Sequence, residues 1–263
     1  MRQKKYNAIY FYNKKRKGVA ASRDFGISKI QTPYFMLLDG HMRFYQNDWV
    51  EIILDAINKD ERAIYCCRCK NINISKGENI GHAAYLRLFN NEIKDVLTLD
   101  WIKEEYALPD TSIIDVPCVL GASYIASKNY WEYLKGLEGL KYYSCDEQYI
   151  SLKTWMEGGR CRLIKQVDIG HLFRKKAPYE INQFEFFYNK LLIIETLLPE
   201  ALQKKLIRSM KAINYIEYMR AKNEMDIRKA QINSMKKYYS ETFKSGLNSF
   251  MQINDYFLEK HTT

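Results

Sequence analysis

Long apolar runs and prolines are scarce in this 263-residue sequence, and its cysteines form no regular framework. No stretch of about 18 apolar residues occurs, so no membrane-spanning helix is predicted. Residues 1–18 are basic and aromatic without a continuous apolar core, which is not typical of a secretory signal. The six cysteines favour a reducing compartment over a disulfide scaffold. We therefore predict a cytoplasmic protein, with peripheral contact at the inner membrane face as an extension of that prediction.

The composition that remains is that of a folded, basic protein. Hydrophobic residues make up 47% of the chain and aromatic residues 14%, enough to bury a core and to exclude general disorder. The length allows one large domain or two small ones. The formal net charge is +10, so an acidic partner, an anionic membrane surface or nucleic acid could be attracted. No nucleic-acid recognition motif accompanies the charge, and we predict no nucleic-acid partner.

The prolines divide the chain, because all five lie at or before Pro199. Up to about residue 175, short apolar runs alternate with polar stretches, and this alternation predicts an α/β sheet. After about residue 182 the pattern is helical. The predicted domains are therefore 1–178, an α/β domain, and 179–263, a helical extension. Predicted strands cover 6–12, 34–38, 63–69, 119–126 and 161–169; predicted helices cover 23–30, 49–57, 129–134 and 148–156.

Residues 200–240 of the helical extension carry a local excess of positive charge. Between residues 200 and 240, ten basic residues stand against four acidic ones. Leu202, Leu206, Met210 and Ile213 recur there at intervals of four, four and three, which is typical of one face of a helix. The charged face is either simply solvated or makes contact with anionic lipid or an acidic partner.

Polar side chains follow two of the predicted strands. Asp39 and His41 come directly after the apolar run that ends at Leu38, and His171 with Arg174 follows the strand predicted to end at Ile169. Oxygen and nitrogen ligands at a strand end suit a divalent cation such as Mn²⁺. Arginine suits phosphate. Each motif alone is also compatible with an ordinary turn.

Two acids, Asp146 and Glu147, stand where a helix is predicted to begin. Acids are favoured at this position by the helix dipole and its free amide groups, which is a purely structural explanation. The functional alternative is that one carboxylate accepts or deprotonates a substrate hydroxyl. The spacing does not choose between the two.

Six segments in order carry a resemblance that no single motif would support. They are Gly18–Arg23, Leu37–His41, Asp100–Trp101, Gly121–Ala126, Tyr143–Gly159 and Gly170–Arg174. Together they resemble the polypeptide N-acetylgalactosaminyltransferases and related family 2 glycosyltransferases, which have the GT-A fold. The resemblance implies a mixed α/β sheet and a metal-dependent enzyme that moves a hexose or N-acetylhexosamine from a UDP-sugar to an acceptor hydroxyl. The acceptor class, whether glycan, lipid-linked or protein, stays open, as does the choice between a retaining and an inverting outcome.

The same resemblance assigns roles to individual positions. Asp39, His41 and His171 would hold Mn²⁺ or Mg²⁺. Asp146 and Glu147 would be the catalytic acids that meet the acceptor. The donor-binding positions implied are Arg23, Asp39, Gly121, Ala122, Tyr143 and Arg174, with the two arginines facing the diphosphate.

Departures from the family pattern are also expected to matter. Ser144 and Cys145 replace two glycines of the block before the acids, and Ala122 replaces another in the sugar pocket. Residues 6–12 resemble the strand just upstream of the metal site, so the N-terminal uridine-binding segment is expected to be lacking. The competing hypothesis is a truncated, non-catalytic protein that acts as a binding or assembly subunit. In either case an unpaired sheet edge would favour self-association or a partner chain.

Overall fold

A computed structural model describes residues 8–72, 81–102, 111–173 and 180–262. Strands and helices alternate through the first two thirds of these residues, and helices alone follow. The elements are α1 (Val19–Lys29), β1 (Tyr34–Leu38), β2 (Met42–Phe44), α2 (Trp49–Lys59), β3 (Ala63–Asn71), β4 (Ala83–Asn90), β5 (Asp95–Ile102), β6 (Ile113–Asp115), β7 (Ser123–Ser127), α3 (Lys128–Tyr133), α4 (Asp146–Glu157), β8 (Arg160–His171), α5 (Gln183–Leu197), α6 (Glu200–Ile213), α7 (Tyr215–Ile227), α8 (Lys229–Thr242) and α9 (Gly246–Thr262).

The main sheet is mixed, as the sequence predicts. Its strand order is β1-β7-β3-β8-β2, with β6 also paired to β8. β3 and β8 run parallel, whereas β1–β7, β3–β7 and β2–β8 are antiparallel. β7 is buried at all five residues and lies inside the sheet, between β1 and β3. Among the described strands β1 pairs with β7 alone, so β1 lies at the edge of this sheet.

Most predicted elements are confirmed with shifted ends, and one is wrong. Residues 8–12 form no strand, although their aromatic content favours one. Three of these side chains, Ile9, Tyr10 and Tyr12, are more than 70% exposed, and residues 6 and 7 of the predicted strand lie outside the described residues. The strand predicted over 119–126 is confirmed only from Ser123, because residues 121 and 122 form a turn, closed by a 3.2 Å hydrogen bond from Ser123 N to Leu120 O.

α2 buries only part of its apolar residues. Ile53, Ala56 and Ile57 are buried, but Val50 and Leu54, which stand at helical spacing from them, are 39% and 40% exposed. The buried stripe is therefore narrower than the apolar pattern indicates. α4 is the opposite case, because ten of its twelve residues are buried.

The β4–β5 hairpin was not predicted from the sequence. Its two strands pair antiparallel, with Tyr85 opposite Asp100. Arg87 binds the Asp100 carboxylate through its Nε, so the charged side chains satisfy each other across the hairpin. Those charges interrupt the apolar run that would have indicated strands.

The C-terminal helices pack onto the α/β part. α9 lies against α4 and β4, and the buried Asn254 side chain accepts a hydrogen bond from Leu86 N at 2.7 Å and donates one to Leu86 O at 2.9 Å. α5 is buried on most of its surface, including Leu191 and Ile194. Within the described residues, no helix combines the length and apolar character needed to cross a lipid bilayer.

Candidate active site

Strand register brings three distant side chains to one end of the sheet. Asp39 follows β1 directly, and His41 precedes β2. β2 pairs with the end of β8 so that Met42 lies opposite His171, and Leu172 N donates to His41 O at 3.3 Å. His41 and His171 are therefore neighbours although 130 residues separate them.

The three side chains face a common point. The Nε2 atoms of His41 and His171 are 3.1 Å apart, and His171 Nε2 lies 3.1 Å from Asp39 Oδ2. One potential ligand atom from each residue lies within 4.8 Å of the other two. Two ligands that each sit about 2.1 Å from one cation are about 3–3.5 Å apart, so the spacing fits a shared ion. The three side chains that the resemblance assigns to one cation therefore do lie together.

The electrostatics of this cluster favour an ionised carboxylate. Burial by itself would raise the pKa of Asp39, but the hydrogen bond with His171 and the charge of Arg23 outweigh it, and the pKa lies below its ordinary value. A carboxylate with two imidazoles is a donor set suited to Mn²⁺ and other first-row divalent cations. These residues fit the group that the resemblance implies.

Arg23 of α1 connects the predicted metal ligands to the predicted acids. Its Nη2 donates to Gly121 O at 2.8 Å and lies 3.4 Å from Asp39 Oδ1, while its Nη1 binds Asp146 Oδ2. Burial alone would lower the pKa of Arg23, but the surrounding acids, Asp146 foremost, raise it above its ordinary value. The guanidinium therefore stays charged between the two carboxylates.

Asp146 and Glu147 are adjacent in sequence but differ in surroundings. Tyr124 Oη donates a hydrogen bond to Asp146 Oδ2 at 2.8 Å. The same oxygen also binds the guanidinium of Arg23. Glu147 Oε1 instead accepts the backbone N–H of Gly121 at 2.6 Å. Burial, followed by the charge of Asp146, raises the pKa of Glu147 to about 7, although the Gly121 hydrogen bond acts in the opposite direction.

The loop before these acids keeps a backbone that glycine would adopt easily. Tyr142, Ser144 and Cys145 have φ values of 43°, 86° and 62°, in the left-handed region. Ser144 and Cys145 therefore replace the expected glycines while the backbone stays in the left-handed region that glycine adopts easily. Such a conformation costs of order 1–2 kcal/mol for a non-glycine residue, so other contacts must hold it.

Asn189 of α5 supplies those contacts. Its fully buried side chain accepts from Lys141 N at 2.8 Å through Oδ1. Its Nδ2 lies 2.9–3.0 Å from three carbonyl oxygens, those of Lys141, Tyr143 and Ser144. A side chain of the helical extension thus fixes the loop that leads to Asp146. Neither Asn189 nor Tyr124 was predicted from the sequence.

The other predicted donor-binding positions lie around this loop. Gly121 is close to Glu147, where a Cβ on the glycine would come within 2.8 Å of Oε1. Ala122 is buried at the start of β7, and the Tyr143 ring lies 6.1 Å from that of Phe186. Arg174 lies outside the described residues.

Comparison with known proteins shows which proteins the chain is similar to. Residues 1–110 match the Glycosyl transferase family 2 profile. The chain is 27% identical over 162 residues to human polypeptide N-acetylgalactosaminyltransferase 12, and 23% identical over 175 residues to the probable N-acetylgalactosaminyltransferase 6 of Caenorhabditis elegans. These alignments cover 60% and 64% of this chain but only 28% of either relative. This chain therefore spans less than a third of their length.

A solved structure shows the same fold. The crystal structure of GalNAc-T7 with UDP, GalNAc and Mn²⁺ superposes with a TM-score of 0.72 at 18% identity, over 95% of this chain and 46% of that one. The mixed sheet and its helices form a GT-A fold, and the predicted fold class is confirmed. The predicted resemblance to family 2 glycosyltransferases is confirmed as well.

Proposed function

We propose that this chain is the catalytic part of a metal-dependent glycosyltransferase that moves a hexose or N-acetylhexosamine from a UDP-sugar to an acceptor hydroxyl. The observation that carries the proposal is the convergence of Asp39, His41 and His171 beside the largely covered guanidinium of Arg23. The relatives support the proposal, because human proteins among them are named polypeptide N-acetylgalactosaminyltransferases.

The cation site would lie where the diphosphate of the donor leaves. Asp39, His41 and His171 would hold Mn²⁺ or Mg²⁺, which when bound neutralises charge that develops on the leaving group. Arg23 would add a fixed positive charge next to the same position, since Asp146 and Gly121 O already orient its guanidinium. Arg174 is proposed for the same role by resemblance alone.

The two acids would then divide the remaining work. Both described hydrogen bonds to the Asp146 carboxylate end on Oδ2, so Oδ1 is the oxygen with which Asp146 would accept a sugar or acceptor hydroxyl. Glu147 would instead hold the turn at Gly121 through its hydrogen bond to the Gly121 N–H. Gly121, Ala122 and Tyr143 would line the sugar pocket. Asp146 is therefore the better candidate for contact with substrate.

Calorimetry and turnover test the proposal together. The chain should bind UDP only with Mn²⁺ present, and it should release UDP from at least one UDP-hexose or UDP-N-acetylhexosamine in the presence of a glycan, lipid-linked or peptide acceptor. GDP serves as the control for base preference, and Asp39→Asn as the control for metal dependence. No nucleotide binding with Mn²⁺ would contradict the proposal and favour a binding or assembly role, for which the edge of β1 is the proposed contact with a second copy or a partner chain.

A further inference from the structure

The turn between α6 and α7 presents apolar and cationic side chains to solvent together. The two helices are joined at Asn214 alone, and Ile213, Tyr215 and Ile216 beside it are 37%, 60% and 71% exposed. Lys211, in the last turn of α6, is exposed as well. We call these side chains together with Arg208 the α6–α7 corner.

The packing of the two helices explains why the corner is left outside. α6 turns Leu206 and Met210 inward, and α7 turns Tyr218, Ala221 and Met225 inward. The apolar stripe predicted along α6 is therefore buried in its middle and emerges at Ile213. Ile213, Tyr215 and Ile216 extend past the core and are not among the residues packed against it.

Basic side chains predominate around the corner. Arg208 and Lys211 are exposed on α6, and Arg220 is half-exposed one turn into α7. Glu217, an acid of this neighbourhood, is largely covered and paired with Arg220 at 2.7 Å. An apolar tip surrounded by arginine and lysine, with a tyrosine between them, is the combination that favours the interface of an anionic bilayer.

We propose that the α6–α7 corner docks on an anionic lipid surface. Ile213 and Ile216 would enter the boundary between headgroups and acyl chains, and Arg208 and Lys211 would lie among the phosphates. A protein partner of comparable stability would need about 800 Å² of matched surface on this chain, whereas lipid adapts to a projecting turn. This inference stands apart from the proposed transfer reaction, because no residue of the candidate active site takes part in it.

The position of the corner gives the contact a consequence. Lys141, at the start of the loop before Asp146, forms a 2.5 Å ion pair with Glu224 of α7. Glu224 is nine residues after Tyr215, which is about 14 Å along a helix. Lipid bound at the corner would therefore lie within a few helix turns of the loop that precedes Asp146. An acceptor held in that lipid layer would then be near the site, a consequence that rests on the proposed transfer reaction although the docking itself does not.

Vesicle sedimentation tests the docking directly. The intact chain is mixed with vesicles of phosphatidylglycerol and phosphatidylcholine, or of phosphatidylcholine alone, at low and at physiological salt. Binding should require phosphatidylglycerol and weaken as salt rises, because exposed charges are screened beyond about 8–10 Å at physiological ionic strength. Equal binding to both vesicle types, or none to either at low salt, would overturn the proposal, and so would binding to soluble polyglutamate without binding to vesicles.

A matched pair of variants locates the contact. Ile216→Ser with Lys211→Glu changes the corner, whereas Ile227→Ser with Lys229→Glu makes the same chemical changes at the other end of α7, where Ile227 is 80% exposed. The corner variant should bind about 10-fold or more weakly and the control within about 2-fold of the parent. A loss that is equal in both variants would show that only net charge matters and would overturn the assignment to the corner.

A fluorescent reporter covers the case in which a charge change disturbs folding. Tyr215→Trp should be quenched by brominated acyl chains in phosphatidylglycerol vesicles, because its ring would lie at the acyl boundary. Ile227→Trp is the control and should show no added quenching over the four native tryptophans. Quenching of Ile227→Trp instead of Tyr215→Trp would overturn the proposed orientation.

Discussion

The two sides of the candidate active site are held in different ways. On the metal side, backbone pairing between β2 and β8 sets the positions of His41 and His171. On the acid side, a loop with left-handed residues is fixed by one buried amide, that of Asn189. Strand register spreads a constraint over many hydrogen bonds, whereas a single side chain can be removed by one substitution. A substitution on the metal side should therefore affect mainly the chemistry, whereas a substitution on the acid side should affect mainly the local structure.

The largest expected effect is chemical. Asp39→Asn keeps the size of the side chain but removes the charge that a divalent cation needs, so Mn²⁺ should no longer raise the melting temperature. Transfer activity should fall by about 100-fold or more. The measurements are thermal unfolding with and without Mn²⁺ and UDP release. Asp55→Asn, at an exposed carboxylate of α2, is the control and should change neither.

The second prediction concerns the amide that fixes the loop. Asn189→Ala leaves buried backbone groups of residues 141–144 unpaired, and should lower the free energy of unfolding by about 2–4 kcal/mol. Asn254→Ala removes a comparable buried clamp from the β4–β5 hairpin and is the matched control. Both should unfold more easily in urea, but only Asn189→Ala should also weaken nucleotide binding. Equal nucleotide affinity in the two variants would contradict a role for Asn189 in positioning.

The third prediction is a pH dependence on the acid side. The pKa of Glu147 is raised to about 7 in the fold by burial, above its ordinary value of 4.5. Between these two values the folded chain binds more protons than the unfolded chain, so this group's contribution to stability declines as pH rises through that window. Glu147→Gln should remove that decline. Urea unfolding at several pH values measures the free energy of unfolding of both proteins. If that free energy changes with pH in the same way in the two proteins, the raised pKa of Glu147 is contradicted.

The smallest expected effect is conformational. Ser144→Gly should stabilise the fold by about 0.5 kcal/mol, since glycine accepts a φ of 86° without strain but gains entropy when unfolded. Ser144→Val should destabilise it, because a branched side chain resists this region. Chemical denaturation distinguishes the two. Ser240, on the exposed face of α8, is the control position, where glycine should destabilise instead.

Sequence patterns predicted the metal side better than the acid side, and the reason is physical. Asp39, His41 and His171 stand directly at strand ends, where apolar runs stop, so local pattern marks them. Asn189 acts on residues about 45 positions away, and nothing in its neighbourhood indicates which backbone groups it meets.

The elements follow the same division. Strands buried on both faces and helices with apolar stripes were predicted, because burial leaves a local signature. The β4–β5 hairpin was missed because its charged residues pair across the two strands, and residues 8–12 were wrongly predicted as a strand because aromatic content alone does not supply a pairing partner.

The separation between β2 and β8 also bears on how the protein is made. Asp39 and His171 are 132 positions apart, so the cluster needs one of the longest-range pairings in the fold. A chain emerging from the ribosome exposes Asp39 and His41 while His171 is still unsynthesised, and contacts of such separation form late because closing a long loop costs entropy. The nascent chain therefore has no complete cation site until β8 has joined the sheet. A divalent cation would then act on the finished fold, where it slows unfolding, and would give little help to the early steps of folding.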